Sequence, residues 1–86
     1  MPEVSRFLGI GITMYFRDHP PPHFHVRYGE YRAVVSIESP TLLQGILPPR
    51  VYGLVIEWAT LYHNELIENW NLSKSQLPIQ SIPPLE

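Results

Sequence analysis

The sequence predicts an α+β domain: an antiparallel sheet of three to four strands, one long C-terminal helix packed on one face, and an extended Pro-rich tail. Three observations predict it. Apolar residues alternate with small or polar ones through residues 7–16. Two strand-like runs, 23–28 and 31–38, are separated only by Gly29-Glu30. Apolar residues then recur every three or four positions through residues 49–72, the spacing of one helical face. At 86 residues the chain reads as a single domain, 1–86. A chain of this size buries roughly 60–65% of its unfolded surface, enough for one modest core.

Each element has its own local argument. In residues 7–16 the even positions Leu8, Ile10, Ile12, Met14 and Phe16 share one face of a strand, which Gly9 and Gly11 weaken in its first half. Asp18-His19-Pro20-Pro21-Pro22 stops the ladder, because proline has no backbone donor and favours polyproline II geometry. Gly29 at the first central position of a two-residue turn suits a type II′ hairpin. That turn sets the register, with Tyr28 opposite Tyr31, Arg27 opposite Arg32, and His23 opposite Ser36. One face then carries Phe24, Val26, Tyr28, Tyr31, Ala33 and Val35, a core face. The other carries His23, His25, Arg27, Arg32, Val34 and Ser36, a polar and cationic face. A slip of one residue would mix the two sets. Residues 42–47 read as a fourth strand or as a turn on Gly45. Pro48 and Pro49 suit a helix start, where N–H groups need no intrahelical partner. Val51, Leu54, Val55, Trp58, Leu61, Tyr62, Leu66 and Trp70 form the apolar stripe of a helix over 49–72, which is expected behind the cationic face. In the tail, 73–86, Leu77, Ile79, Ile82 and Leu85 lie between prolines and are expected to rest on the body or on a partner.

Composition excludes several classes of function. With no cysteine there is no disulfide framework, thiolate ligand or cysteine nucleophile. A formal net charge of −2 argues against broad electrostatic capture of nucleic acid and leaves room only for a local basic patch. No apolar run approaches a membrane span and no signal peptide opens the chain, so the reading is a cytoplasmic domain with no membrane role.

Chemistry concentrates on His19, His23 and His25, with Asp18 beside the first. Residues i and i+2 of a strand project from one face about 6.6–7 Å apart. His23 and His25 can therefore act as an acid–base pair around one substrate, a role that suits imidazole near neutral pH. The alternative is a metal site on His19, His23 and His25, reached if the Pro-rich bend returns over the same face. No cofactor is required by the acid–base reading; a divalent metal belongs to the alternative one. Arg27 and Arg32 oppose each other on the histidine face, where like charges cost stability unless an anion is clamped between them. Together with Tyr28 as a stacking ring they form the anion or RNA-binding set. The plainer reading places these side chains in solvent and the aromatic residues in the core. Trp58 and Trp70 read as core anchors, and Glu57 and His63 as solvated.

These motifs resemble a bacterial family. Ser5-Arg6-Phe7, Met14-Tyr15, Asp18-His19 and the run Pro21-Pro22-His23-Phe24-His25 are similar to the signature of domain of unknown function family 4160. The likeness continues through Tyr28-Gly29-Glu30, Gly45, Leu47-Pro48, Glu57-Trp58, Leu61, His63, Glu65-Leu66, Asn69-Trp70 and Pro84-Leu85. Pro20 departs from the pattern, which more often has a small polar residue there. Members of that family are often encoded beside a protein of domain of unknown function family 2442, in pairs that look like toxin–antitoxin modules. The resemblance therefore implies a toxin-like component, acting on RNA or phosphate in the enzymatic reading, with a neighbouring gene's protein as partner. It carries over no catalytic residues. The rival to an enzyme is a protein-binding module that docks its partner through the tail and a sheet edge.

Overall fold

A computed structural model describes residues 3–85. It is an α+β fold with one antiparallel five-stranded sheet and two helices. The strands are β1 (Glu3–Phe7), β2 (Ile10–Thr13), β3 (His23–Tyr28), β4 (Tyr31–Ser36) and β5 (Leu42–Gly45), and they lie side by side in chain order. The helices are α1 (Pro49–Leu61) and α2 (His63–Lys74). None of the helices is long and apolar enough to cross a membrane.

The β3–β4 hairpin has the register that its turn dictates: Tyr28 pairs with Tyr31, Arg27 with Arg32, and His23 with Ser36. Gly29 takes φ 57°, the positive value that a II′ turn asks of its first central residue. Phe24, Val26, Ala33 and Val35 are buried on the inner face, as the pattern requires. Tyr28 is only packed against the edge of this core, and Tyr31 is exposed, because both sit at the turn end of the hairpin.

Three elements depart from the sequence reading. The single strand over 7–16 is a hairpin, β1 and β2, turning at Leu8-Gly9 with φ of 52° and 80°. Positive φ at both central residues matches the twist of the flanking strands. Phe7 then joins Ile10 and Ile12 in the core while Leu8 sits exposed on the turn. The helix over 49–72 is bent at Tyr62, whose φ of −108° and ψ of 32° lie outside the helical region. Backbone bonds from Tyr62 to Trp58 and from Leu66 to Tyr62 carry the chain through the bend, and Leu61 faces solvent instead of the core. Finally, residues 73–74, assigned to the tail, complete α2. Residues 42–47 do contain the fourth strand of the sequence reading, now β5, bulged opposite Val34 and Val35. Gly45 there has φ 87°, and a Cβ on it would clash with the Arg32 carbonyl, so no other residue fits without moving β5.

The core lies between the inner sheet face and the helices. Trp58 is its centre, fully buried, with Phe7 at 5.6 Å and Phe24 edge-on at 5.7 Å between ring centres. The tail rests on this body. Ile82 is buried, its N–H donates to the Val4 carbonyl at 2.8 Å, and the Trp58 Nε1–H donates to the Pro83 carbonyl at 2.9 Å. Asn69 holds the tail from α2, donating to the Gln80 carbonyl and accepting from the Gln80 N–H. Glu86, the last tail residue, lies outside the described residues. The helices and tail thus close the inner face and leave the middle of the outer face open.

Candidate functional site

The outer face is organised in cross-strand rows. One row runs Thr13, His25, Val34, Gln44 across β2 to β5. The next runs Arg6, Gly11, Arg27, Arg32 across β1 to β4. An open groove of about 620 Å³ lies over these rows, lined by Thr13, Tyr15, His25, Arg27, Arg32, Val34 and Gln44 among others. Arg6 is neutralised by Glu3 at 2.6 Å. Arg27 and Arg32, both exposed and directly opposed, have no carboxylate within ion-pairing distance among the described residues. Directly opposed like charges destabilise a sheet, so this pair is a cost that folding does not need.

At the other end of β3 the loop between β2 and β3 folds back and sets Asp18 over the histidines. One contact ties the loop and one ties the start of β3 to α2: the Arg17 N–H reaches the Ser73 carbonyl at 3.4 Å, and the Trp70 ring centre lies 5.2 Å from that of His23. Asp18 Oδ2 lies 2.8 Å from His23 Nε2 and 3.1 Å from His25 Nε2. Asp18 Oδ1 takes the backbone N–H of His19 and faces its Nδ1 at 3.2 Å. His23 is buried at 6% exposure and its Nδ1 sits 2.7 Å from the Pro21 carbonyl. A carbonyl only accepts, so Nδ1 carries the hydrogen. His25 is 32% exposed, stands edge-on to Tyr15 at 4.6 Å, and has no partner for its Nδ1 among the described residues. Burial alone would raise the Asp18 carboxyl. The hydrogen bond from His25, the charge of His23 and the bonds from His23 and His19 outweigh that and hold it below its ordinary value.

The fold therefore brings His23 and His25 onto one carboxylate and sets Arg27 and Arg32 beside them on the same face. It separates two other residues of the sequence reading. His19 projects into solvent at 89% exposure, so the three donors that converge are Asp18, His23 and His25, not three histidines. Tyr28 stands on the inner side of the sheet, away from the groove, because its parity in β3 is that of Phe24 and Val26. Sequence reasoning sets Asp18 beside the histidines without making it their common partner, and it leaves Trp70 in the core. The available signal for Asp18 was an acid ahead of alternating histidines with only a Pro-rich return between them.

All of these residues lie in the stretch that carries the family relationship. Residues 9–71 match the domain of unknown function DUF4160. The chain belongs to this family. The DUF4160 match runs from the β1–β2 turn into α2, and so contains the groove, the Asp18 loop and Trp70, while β1 and the extended tail fall outside it. No curated protein and no solved structure matches the chain.

Proposed function

We propose that this DUF4160 domain binds a phosphate-bearing polyanion, RNA first, on its outer sheet face and acts on it at the histidine end of the groove. The observation that carries this reading is the opposed pair Arg27 and Arg32, exposed and without a carboxylate partner beside an open groove. Guanidinium groups grip phosphate oxygens bidentately, which turns their mutual repulsion into a binding contribution. His25, two residues along β3, is the residue to touch the substrate and handle its proton. His23 is buried and acts through Asp18, as a positioning residue. Thr13 and Gln44, on the row of His25, supply hydrogen bonds. Tyr15 takes the place of Tyr28 as the ring beside the site. The formal charge of −2 argues against broad capture of nucleic acid, so the reading rests on the local pair Arg27 and Arg32. The wider setting we propose is a toxin-like component of a two-gene module, which rests on the family resemblance.

The test pairs binding with a cellular readout. A labelled single-stranded RNA is titrated with wild type and with the Arg27→Ala, Arg32→Ala double variant at several salt concentrations. Wild type is expected to bind with a salt-dependent affinity, and the double variant to lose most of both affinity and salt slope. Expression without its genomic neighbour is expected to arrest growth for wild type and not for His25→Ala at equal soluble levels. Equal RNA affinity of wild type and the double variant would remove the reading.

A second reading is a docking module, and a different observation favours it. β5 is the bare edge of the sheet, with Leu42, Leu43 and Ile46 exposed, while the tail is packed on its own body. A partner strand, such as one from a family 2442 protein, would then pair with β5 without the tail's help. In that case Leu43→Lys weakens partner binding and the histidine variants do not.

A further inference from the structure

We infer that Asp18, His23 and His25 form a binding site for one divalent transition-metal ion, with zinc as the reference ion. Their donor atoms all lie within 4.8 Å of one another. Asp18 Oδ2 is 2.8 Å and 3.1 Å from the two Nε2 atoms, so opening these contacts to roughly 3.3–3.6 Å would seat a tetrahedral ion about 2.0–2.2 Å from each.

The second argument is the tautomer of His23. Its Nδ1 hydrogen is committed to the Pro21 carbonyl, so in the neutral ring Nε2 presents a lone pair to the Asp18 oxygen 2.8 Å away. Two lone pairs at that distance repel unless a cation lies between them. A proton meets the need, and so does a metal ion. The arrangement in which the far nitrogen of a ligand histidine donates to a backbone carbonyl is the one that orients imidazole toward a metal.

Exposure gives the third argument. His23 is buried under Trp70 and Asp18 is 16% exposed, so two ligands are held in a dry, fixed frame. His25, one-third exposed, lines the groove that also holds Arg27 and Arg32, so one ligand of the site reaches that open space. Two imidazoles and one carboxylate with open positions suit zinc or iron(II) and the ions between them in softness. An ion there supplies a Lewis acid for an anion gripped by the arginines. The site shares His25 with the RNA reading, and a bound ion takes over the role given there to the free imidazole; none of its ligands is an arginine, and it can load with no anion present.

The experiment uses the whole chain, stripped with chelator and titrated with zinc by calorimetry, and with cobalt(II) followed by its visible absorption. One ion per chain is expected, with a cobalt band diagnostic of fewer than six ligands. His25→Ala and Asp18→Asn are each expected to weaken zinc by roughly tenfold or more and to abolish the band. Both are checked for retained fold by circular dichroism. His19→Ala and the Arg27→Ala, Arg32→Ala double variant are expected to leave affinity and band unchanged. Absence of uptake by wild type overturns the site and assigns the cation between the three groups to protons. Uptake that survives His25→Ala and disappears with His19→Ala also overturns it, placing the ion on the exposed histidine. Loss of RNA binding in the arginine variant with zinc retained would separate the two proposals.

Discussion

On the inner face of the β3–β4 hairpin, Phe24, Val26, Ala33 and Val35 are buried against Trp58. On the outer face, one residue nearer the turn on each strand, Arg27 and Arg32 stand opposed in solvent without a counter-ion among the described residues. The inner face is held by the burial and close packing of these four side chains against the core. The opposed outer arginines add a like-charge repulsion to the same hairpin. In the proposed reading, stability and function fall on different faces of the same two strands, and substitutions should report on one or the other.

The largest expected effect is on the inner side. Trp58→Ala removes the centre of the core and the donor to Pro83, and should cost about 3–5 kcal/mol, read from the denaturation midpoint. A loss below about 1 kcal/mol would mean the helices are not closing this face as described. Next comes Gly45→Ala, which sets a methyl against the Arg32 carbonyl at positive φ and should cost about 2–3 kcal/mol. Amide exchange should then quicken in β5 before β3. Asn69→Ala breaks both bonds to Gln80 and should cost about 1–2 kcal/mol. Limited proteolysis is expected to cut first in the tail. The smallest effect belongs to the outer face. Arg27→Ala with Arg32→Ala should leave stability within about 0.5 kcal/mol of wild type, or raise it by relieving repulsion. The same change should lower the salt slope of RNA binding by about 2. A large stability loss here would merge the two faces and remove the basis for calling the arginines functional.

How much of this was legible in the sequence follows from the same division. Period-two alternation marks inner and outer residues wherever a strand is continuous, and Gly29 fixes the β3–β4 register, so the arginine pair and the core face could be read directly. The Leu8-Gly9 turn was hidden because Leu8 continues the apolar even positions, although its side chain packs on nothing. The bend at Tyr62 has neither glycine nor proline to mark it, and the apolar stripe runs through it unbroken. The position of Asp18 depends on a loop of prolines and left-handed Arg17, which has no period to read and is anchored by α2 from a distant part of the chain. The carboxylate that organises the histidines is thus a tertiary result.

The docking of the tail has a consequence for assembly. One border of the sheet, at β1, already carries the chain's own C-terminal segment through the bond from Ile82 to Val4, and the border at β5 does not. A sheet with a single free border has a valency of one. Two copies paired through β5 would each be left with only the border that the tail already lines, and pairing would end there.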